Sequence, residues 1–158
     1  MFDERWTEYV RRSVLHHFDR KITIPVYLEG SIRVTKALSD FVEIRMDGPW
    51  FSKRSPQEWY LFFELNCLVQ HKMDNNIYSI DKVLGEVQAA YTPIQILDFT
   101  GVDFDEDVDL ESLPRIVCVK QSLKSPRPWL ETRRFGLIDK DLRLEQAMVE
   151  GHYDGVIS

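Results

Sequence analysis

Residues 41–70 read FVEIRMDGPWFSKRSPQEWYLFFELNCLVQ. Val42, Ile44 and Met46 fall on one face of an extended chain. Trp59, Leu61, Phe63, Leu65, Cys67 and Val69 fall on another, with Tyr60, Phe62, Glu64, Asn66, Leu68 and Gln70 opposite. Period two is the signature of a strand, and here it outlasts the usual length of roughly 5–6 residues. At about 3.3 Å per residue the second run spans on the order of 40 Å. Between the two runs, Gly48-Pro49-Trp50-Phe51-Ser52-Lys53-Arg54-Ser55-Pro56 reads as a turn-rich loop at the hairpin tip. A hairpin of that length outgrows the core of a small domain, so the expectation is that its far end packs on another chain.

Composition narrows the remaining choices. A chain of 158 residues is one domain, or one domain with an appendage. The hydrophobic fraction of 44% is enough for a core. A net charge of −6 gives no general basic field to attract nucleic acid. No apolar run reaches membrane-spanning length, and Met1-Phe2-Asp3-Glu4-Arg5-Trp6 has no apolar signal core. The expectation is synthesis in the cytosol with no membrane partner. Cys67 and Cys118 sit in strand-like runs and read as reduced thiols, not as a disulfide or ligand pair.

Outward from the hairpin, Phe2, Trp6, Tyr9, Val10, Val14 and Phe18 recur at helical spacing, which predicts a helix over 3–18. Ile22 to Leu28 reads as a strand, with Pro25 marking an edge or bulge. Residues 31–40 read equally as strand or crossing loop. Asp74-Asn75-Asn76 ends the hairpin and precedes a helix carrying Ile77, Ile80, Val83, Leu84, Val87 and Tyr91, closed by Pro93. Gly85 inside it points to close approach of the sheet or of a neighbouring chain. Ile94 to Phe99 and Arg115 to Gln121 read as strands. The expected fold is α+β: a four- to five-stranded, mostly antiparallel sheet with the long hairpin, and two helices on one face. Residues 1–122 form the domain in this reading. Residues 123–158, opened by Ser125-Pro126-Arg127-Pro128-Trp129, form a C-terminal arm or, with a helix opening at Asp139, fold back onto the domain.

Few residues carry a chemical signature. The acidic loop Asp103, Asp105, Glu106, Asp107, Asp109 and Glu111 offers carboxylates for a hard cation. The calcium-loop pattern fails, because Val108 stands where its glycine belongs and Pro114 where its bidentate glutamate belongs. The loop reads instead as a solvated acidic segment, or as a rim that keeps passing DNA from sticking. His16 and His17 are adjacent, which places them about 100° apart on a helix, not at metal-ligand spacing. His71 and His152 show no partner in sequence. There is no Gly-x-Ser-x-Gly elbow and no phosphate-binding glycine loop, so no catalytic, cofactor or metal residue is assigned. Trp50, Phe51, Lys53 and Arg54 at the hairpin tip, and Trp129, Arg133, Arg134 and Phe135 in the arm, are the candidate subunit interface. The arginines could pair with Asp105 or Asp107 of an adjacent copy, a head-to-tail contact that closes into a ring.

The order of elements resembles the tail terminator (tail-completion) proteins of tailed bacteriophages. It runs from the N-terminal helix at Asp3-Glu4-Arg5-Trp6 into Ile24-Pro25-Val26-Tyr27. The hairpin follows as Val42-Glu43-Ile44-Arg45-Met46 and Trp59-Tyr60-Leu61-Phe62-Phe63-Glu64-Leu65, then the helix from Ile77 to Tyr91 and the strands Ile94 to Phe99 and Arg115 to Val119. The resemblance implies a non-enzymatic virion protein of the tail or neck, without cofactor. It implies a homohexameric ring that caps the tail tube and docks on neck or connector proteins, with DNA passing through without specific binding. Another phage assembly component, such as a head–tail adaptor, stopper or baseplate subunit, shares the same physics. A small metal-dependent cytosolic enzyme using the acidic loop is the reading from another class.

Overall fold

The alternation after Pro56 forms one unbroken strand, but that strand does not overhang. The computed structural model of the chain describes residues 2–31, 40–103, 106–122 and 130–158. Within them the elements are α1 (Trp6–Asp19), β1 (Val26–Leu28), β2 (Phe41–Ser55), β3 (Glu58–Lys72), α2 (Ser79–Ala90), β4 (Ile94–Leu97), a 3-10 turn (Leu110–Ser112), β5 (Arg115–Gln121), β6 (Glu131–Asp139) and β7 (Leu144–Ile157). The class is α+β and the sheet is mostly antiparallel, with two helices among the described residues, as the sequence suggests. The sheet has seven strands, not four or five, in the order β1-β2-β3-β7-β5-β4, and β6 also pairs with β7.

The extra strands come from the segment expected to be an arm. β7 runs antiparallel to β3 from Trp59↔Ile157 to Lys72↔Leu144 without a break. The sheet is therefore not finished at Ser122, and residues 131–157 belong to it. No helix opens at Asp139, whose carboxylate instead accepts the Leu142 amide in the β6–β7 turn. The supposed overhang of the hairpin is filled by the chain itself. Residues 32–39, where strand and loop were both open, and Ser125 to Trp129 lie outside the described residues.

The second correction concerns the hairpin tip. Residues 48–54 are not a loop. They continue β2 past a bulge between Asp47 and Trp50, where Gly48 adopts φ 97°. The reversal falls at Pro56-Gln57. The bulge resets the register so that Trp50 pairs with Phe62 and Phe51 with Leu61, putting the two rings on opposite faces.

One face of the sheet holds the core. Leu61, Phe63, Leu65, Cys67 and Val69 of β3 are buried there with Val42 and Ile44 of β2 and Ala147, Val149 and Tyr153 of β7. Trp6, Val10, Val14 and Phe18 of α1 and Ile80, Val83, Leu84 and Val87 of α2 close over them. Phe51 and Trp59 are also taken up on this side, since Phe2 packs edge-on against Trp6 and Phe51 and lies 5.1 Å from Trp59. Ser13 of α1 donates no apolar surface, but its hydroxyl accepts the Leu97 amide and so fastens the helix to β4.

The end of α2 is fastened more tightly. Tyr91 is buried with its hydroxyl 2.7 Å from the Leu65 carbonyl and 3.1 Å from that of Val149, over the β3–β7 seam. Its ring occupies the space that a side chain at Gly151 would need, because a Cβ there would stand 2.7 Å from Tyr91 Cε1. Gly85, by contrast, faces open space, so the close approach to the sheet expected of it is absent.

Overfilling a packed site costs about 1–3 kcal/mol. Gly151→Ala should lower the urea-unfolding free energy by that amount, and Gly85→Ala should raise it by roughly 1 kcal/mol through helix propensity. Equal effects at the two positions would contradict the seating of Tyr91.

Candidate functional site

Sequence alone gave His71 no partner, yet the fold supplies two. His71 lies near the end of β3 and Ser79 opens α2, eight residues on. His71 Nε2 stands 2.9 Å from Ser79 Oγ. Its Nδ1 is buried, without a hydrogen bond of good geometry, and faces Asp40 Oδ1 at 3.4 Å. Asp40 sits just before β2 and is oriented by the Lys72 amide, which donates to the same oxygen at 2.8 Å. The loop that sets Ser79 in place is built from two short side-chain turns. Asp74 accepts the Asn76 amide and Asn76 accepts that of Tyr78. The expected cap at residues 74–76 is thus realised one step upstream of the helix, and Tyr78 at the N-cap position provides no side-chain bond.

Asp74 also faces the pair: its carboxylate is held below the usual range, first by the Asn76 amide and further by the Ser79 side chain and the nearby His71, so two carboxylates compete for the ring and the hydroxyl. Asp40, His71 and Ser79 line a cavity of about 360 Å³ together with Thr23, Asn76, Lys82 and Glu86. Thr23 donates to Glu86 across its far wall at 2.9 Å.

The residues assigned from sequence are scattered. Trp50 is half exposed on the helix-free face, stacked on Phe62 at 5.6 Å, and Phe62 stacks on His152 at 5.9 Å. His152 Nδ1 lies 3.7 Å from Glu64. Phe51 is on the other face, and Lys53 and Arg54 are exposed near the reversal. Within the chain Arg133 pairs with Glu150 across the β6–β7 ladder and Arg134 with Asp81 of α2. Phe135 is exposed. Trp129 and Asp105 lie outside the described residues. Of the acidic loop, Asp103, Glu106, Asp107, Asp109 and Glu111 are all exposed. Asp109 turns its carboxylate onto the Glu111 amide, and Arg12 of α1 clasps the loop's first carbonyls, at Val102 and Asp103, while lying over the Phe99 ring. Among the described residues no group of three His, Cys, Asp or Glu is disposed to hold a metal.

A surface the composition did not single out is the end of the molecule where β6 turns into β7. Eight large apolar side chains are exposed among the described residues, and six of them are Ile77, Tyr78, Phe135, Leu137, Ile138 and Leu142. The two segments lie at the same end: the Met73 amide donates to the Arg143 carbonyl, and Arg134 of β6 pairs with Asp81 of α2. Gly136, at φ 73°, bulges β6 so that Phe135 drops out of the regular pairing. The outer edge of β6 has no strand partner among the described residues. A signal for this surface did exist in the run Phe135-Gly136-Leu137-Ile138, which has no polar alternation.

No family model matches the chain, and no curated protein matches it. One solved structure aligns over 93% of this chain and 93% of its own length, at 11% identity and a TM-score of 0.49, a likeness that carries no functional argument. No helix among the described residues is long and apolar enough to cross a membrane.

Two groups, one buried and one partly buried, give direct tests of this environment. Burial pushes the Cys67 thiol up to about 12, against a smaller opposing effect from Tyr91. Iodoacetamide at pH 8 should therefore alkylate the half-buried Cys118 and spare Cys67, with both modified in urea. Rapid native labelling of Cys67 would contradict the burial.

His17 is held below the ordinary histidine value by burial, partly offset by its bond to the Ala90 carbonyl at 2.8 Å. Below about pH 6.5 the unfolded chain takes up the proton that the folded one resists. This contribution to stability is complete above that pH and declines as pH falls. The urea midpoint should drop from pH 7 to pH 5, and His17→Gln, which retains a donor, should make the drop shallower; an unchanged slope would refute the assignment.

Proposed function

We propose that this chain is a non-enzymatic structural subunit that works by joining copies of itself and partner proteins. The observation that carries the reading is the apolar end formed by residues 77–78 and 135–142, set beside an edge of β6 with no strand partner among the described residues. Isolated exposed apolar side chains are ordinary, but a concentration of them marks a contact surface. An open edge adds a row of backbone donors and acceptors that another chain can complete. Arg133 and Arg134 are paired within the subunit, while the exposed Lys140, Asp141 and Arg143 of the β6–β7 turn give the patch a charged rim.

Taken with the resemblance in element order, the specific form of this proposal is a tail terminator: a ring, hexameric in that family, which caps the tail tube and meets the neck proteins, with DNA threading the centre. Stopper, adaptor and baseplate subunits use the same kind of surface and remain the second reading. The acidic residues 103–111 and the net charge of −6 suit a component that DNA must pass without adhering.

Light scattering of the purified protein, alone and with tube protein, should give a ring-sized particle. Burial of a large aliphatic side chain is worth about 1.5–3 kcal/mol. The double variant Leu137→Asp, Leu142→Asp should thus weaken assembly on the order of a hundredfold or more while keeping the monomer folded by circular dichroism. A monomer at every concentration, with or without partner, overturns the proposal. Particles made without the protein separate the two readings: overlong tails indicate a terminator, and leaking heads a stopper.

A further inference from the structure

We propose that the cavity at the head of α2 receives the hairpin tip of a second copy of this chain, with the Arg54 guanidinium of that copy entering between Asp40, Asp74 and Glu86. The inference rests on the assembly reading and deepens it, because it names the two ends that meet and the direction in which copies add.

The cavity has an excess of negative charge. Three carboxylates, Asp40, Asp74 and Glu86, line it against one ammonium, that of Lys82. His71 offsets them only when its ring is protonated. Each carboxylate is already held from within the chain: Asp40 accepts the Lys72 amide, Asp74 the Asn76 amide and Glu86 the Thr23 hydroxyl. A carboxylate has about four lone-pair sites, so these bonds position the three groups and leave each able to accept another donor. Tyr78 lines the same cavity and is 68% exposed, which offers a ring face on which a guanidinium can stack.

The matching cation stands at the opposite end of the same strand. β3 is 15 residues long, from Glu58 beside the reversal to Lys72 beside the cavity. That is on the order of 45 Å, so a chain cannot place its tip in its own cavity. Lys53 and Arg54 are exposed at the tip, and neither forms an ion pair among the described residues. Arg54 falls in the register shift between Lys53 and Ser55 and has no cross-strand partner, while the half-buried Glu58 is taken up opposite Ser55. Its planar fork can bridge two carboxylates, which the point charge of Lys53 cannot.

The contact is continuous with the surface proposed for assembly, because Tyr78 belongs both to the cavity and to the apolar end. The exposed Pro56 and the aliphatic stems of Lys53 and Arg54 bring apolar area to it. A joint between one end of a copy and the other end of the next is head-to-tail, and it repeats until the rotation closes a ring.

The test measures self-association of the full chain by sedimentation velocity, alone and with tube protein, with circular dichroism to confirm folding. Arg54→Glu and Glu86→Arg should each weaken association about tenfold or more, and the double variant Arg54→Glu, Glu86→Arg should recover most of the loss. Carbodiimide treatment of mixed unlabelled and isotope-labelled chains should join Lys53 of one copy to Asp74 or Glu86 of another, mapped by mass spectrometry. If Glu86→Arg does not fold, Arg54→Glu at the exposed tip and the cross-link decide the matter. A folded Arg54→Glu that associates as tightly as the parent overturns this docking and leaves the assembly reading standing, as does a set of Lys53 cross-links that avoids the cavity. A parent chain that stays monomeric at every concentration, with or without tube protein, overturns both.

Discussion

The pairing of β3 with β7 is the interaction on which the rest of the molecule depends. From Trp59↔Ile157 to Lys72↔Leu144 the two strands stay in register with no bulge. Each also organises what lies beyond it. β3 holds β2, and through it the parallel strand β1. β7 divides its far edge between two partners, β6 along residues 144–150 and β5 at Tyr153 and Asp154. Both helices pack on the apolar side of this seam, and Tyr91 pins the end of α2 onto it. Because side chains alternate across a strand, a slip of one residue between them would turn one strand's set, either Phe63 and Leu65 or Val149 and Tyr153, to the solvent face.

The parts of the fold that were legible in sequence are those whose residues declare their own environment. The alternation of Leu61, Phe63, Leu65, Cys67 and Val69 announced a strand, and Val10, Val14 and Phe18 announced a helix face; all eight are buried. β7 was missed for a physical reason. Its core-facing positions run Ala147, Val149, Gly151, Tyr153, Gly155 and Ile157, so the period is intact but two members are glycines. Read alone, Gly151 and Gly155 loosen a chain. In the fold they are spaces, one filled by Tyr91 and Leu130, the other closely bordered by Val117 and Val119 of β5. A residue chosen for what sits above it carries no sign of that partner in its own segment. The same holds for the tip of the hairpin, where Gly48-Pro49 reads as punctuation although the strand resumes after a bulge.

The cavity at the head of α2 was illegible in a different way. Asp40, His71 and Ser79 belong to no spacing motif, because the contact of Asp40 with His71 is made across the β2–β3 ladder, whose last pair is Phe41 with Gln70. Only a register can bring two residues 31 positions apart into contact. The arginines of β6 show the converse. Their abundance near an apolar run drew attention to a neighbouring copy, and nothing in their own segment marks Glu150 and Asp81, the acids that stand opposite them within the chain. Charge was legible; its address was not.

The late position of β7 in the chain has a bearing on how the protein is made. Synthesis delivers β2, β3, both helices and β4 well before residues 144–157 emerge. Throughout that interval β3 presents a bare hydrogen-bonding rim backed by Phe63 and Leu65, the kind of surface that captures stray strands. Closure of the sheet is a long-range event that must wait for the last segment, and contacts so distant in sequence form slowly. A nascent molecule of this design therefore passes through a stage in which it resembles an unfinished seam, and crowded translation of many copies is the circumstance in which holdase chaperones would be needed most.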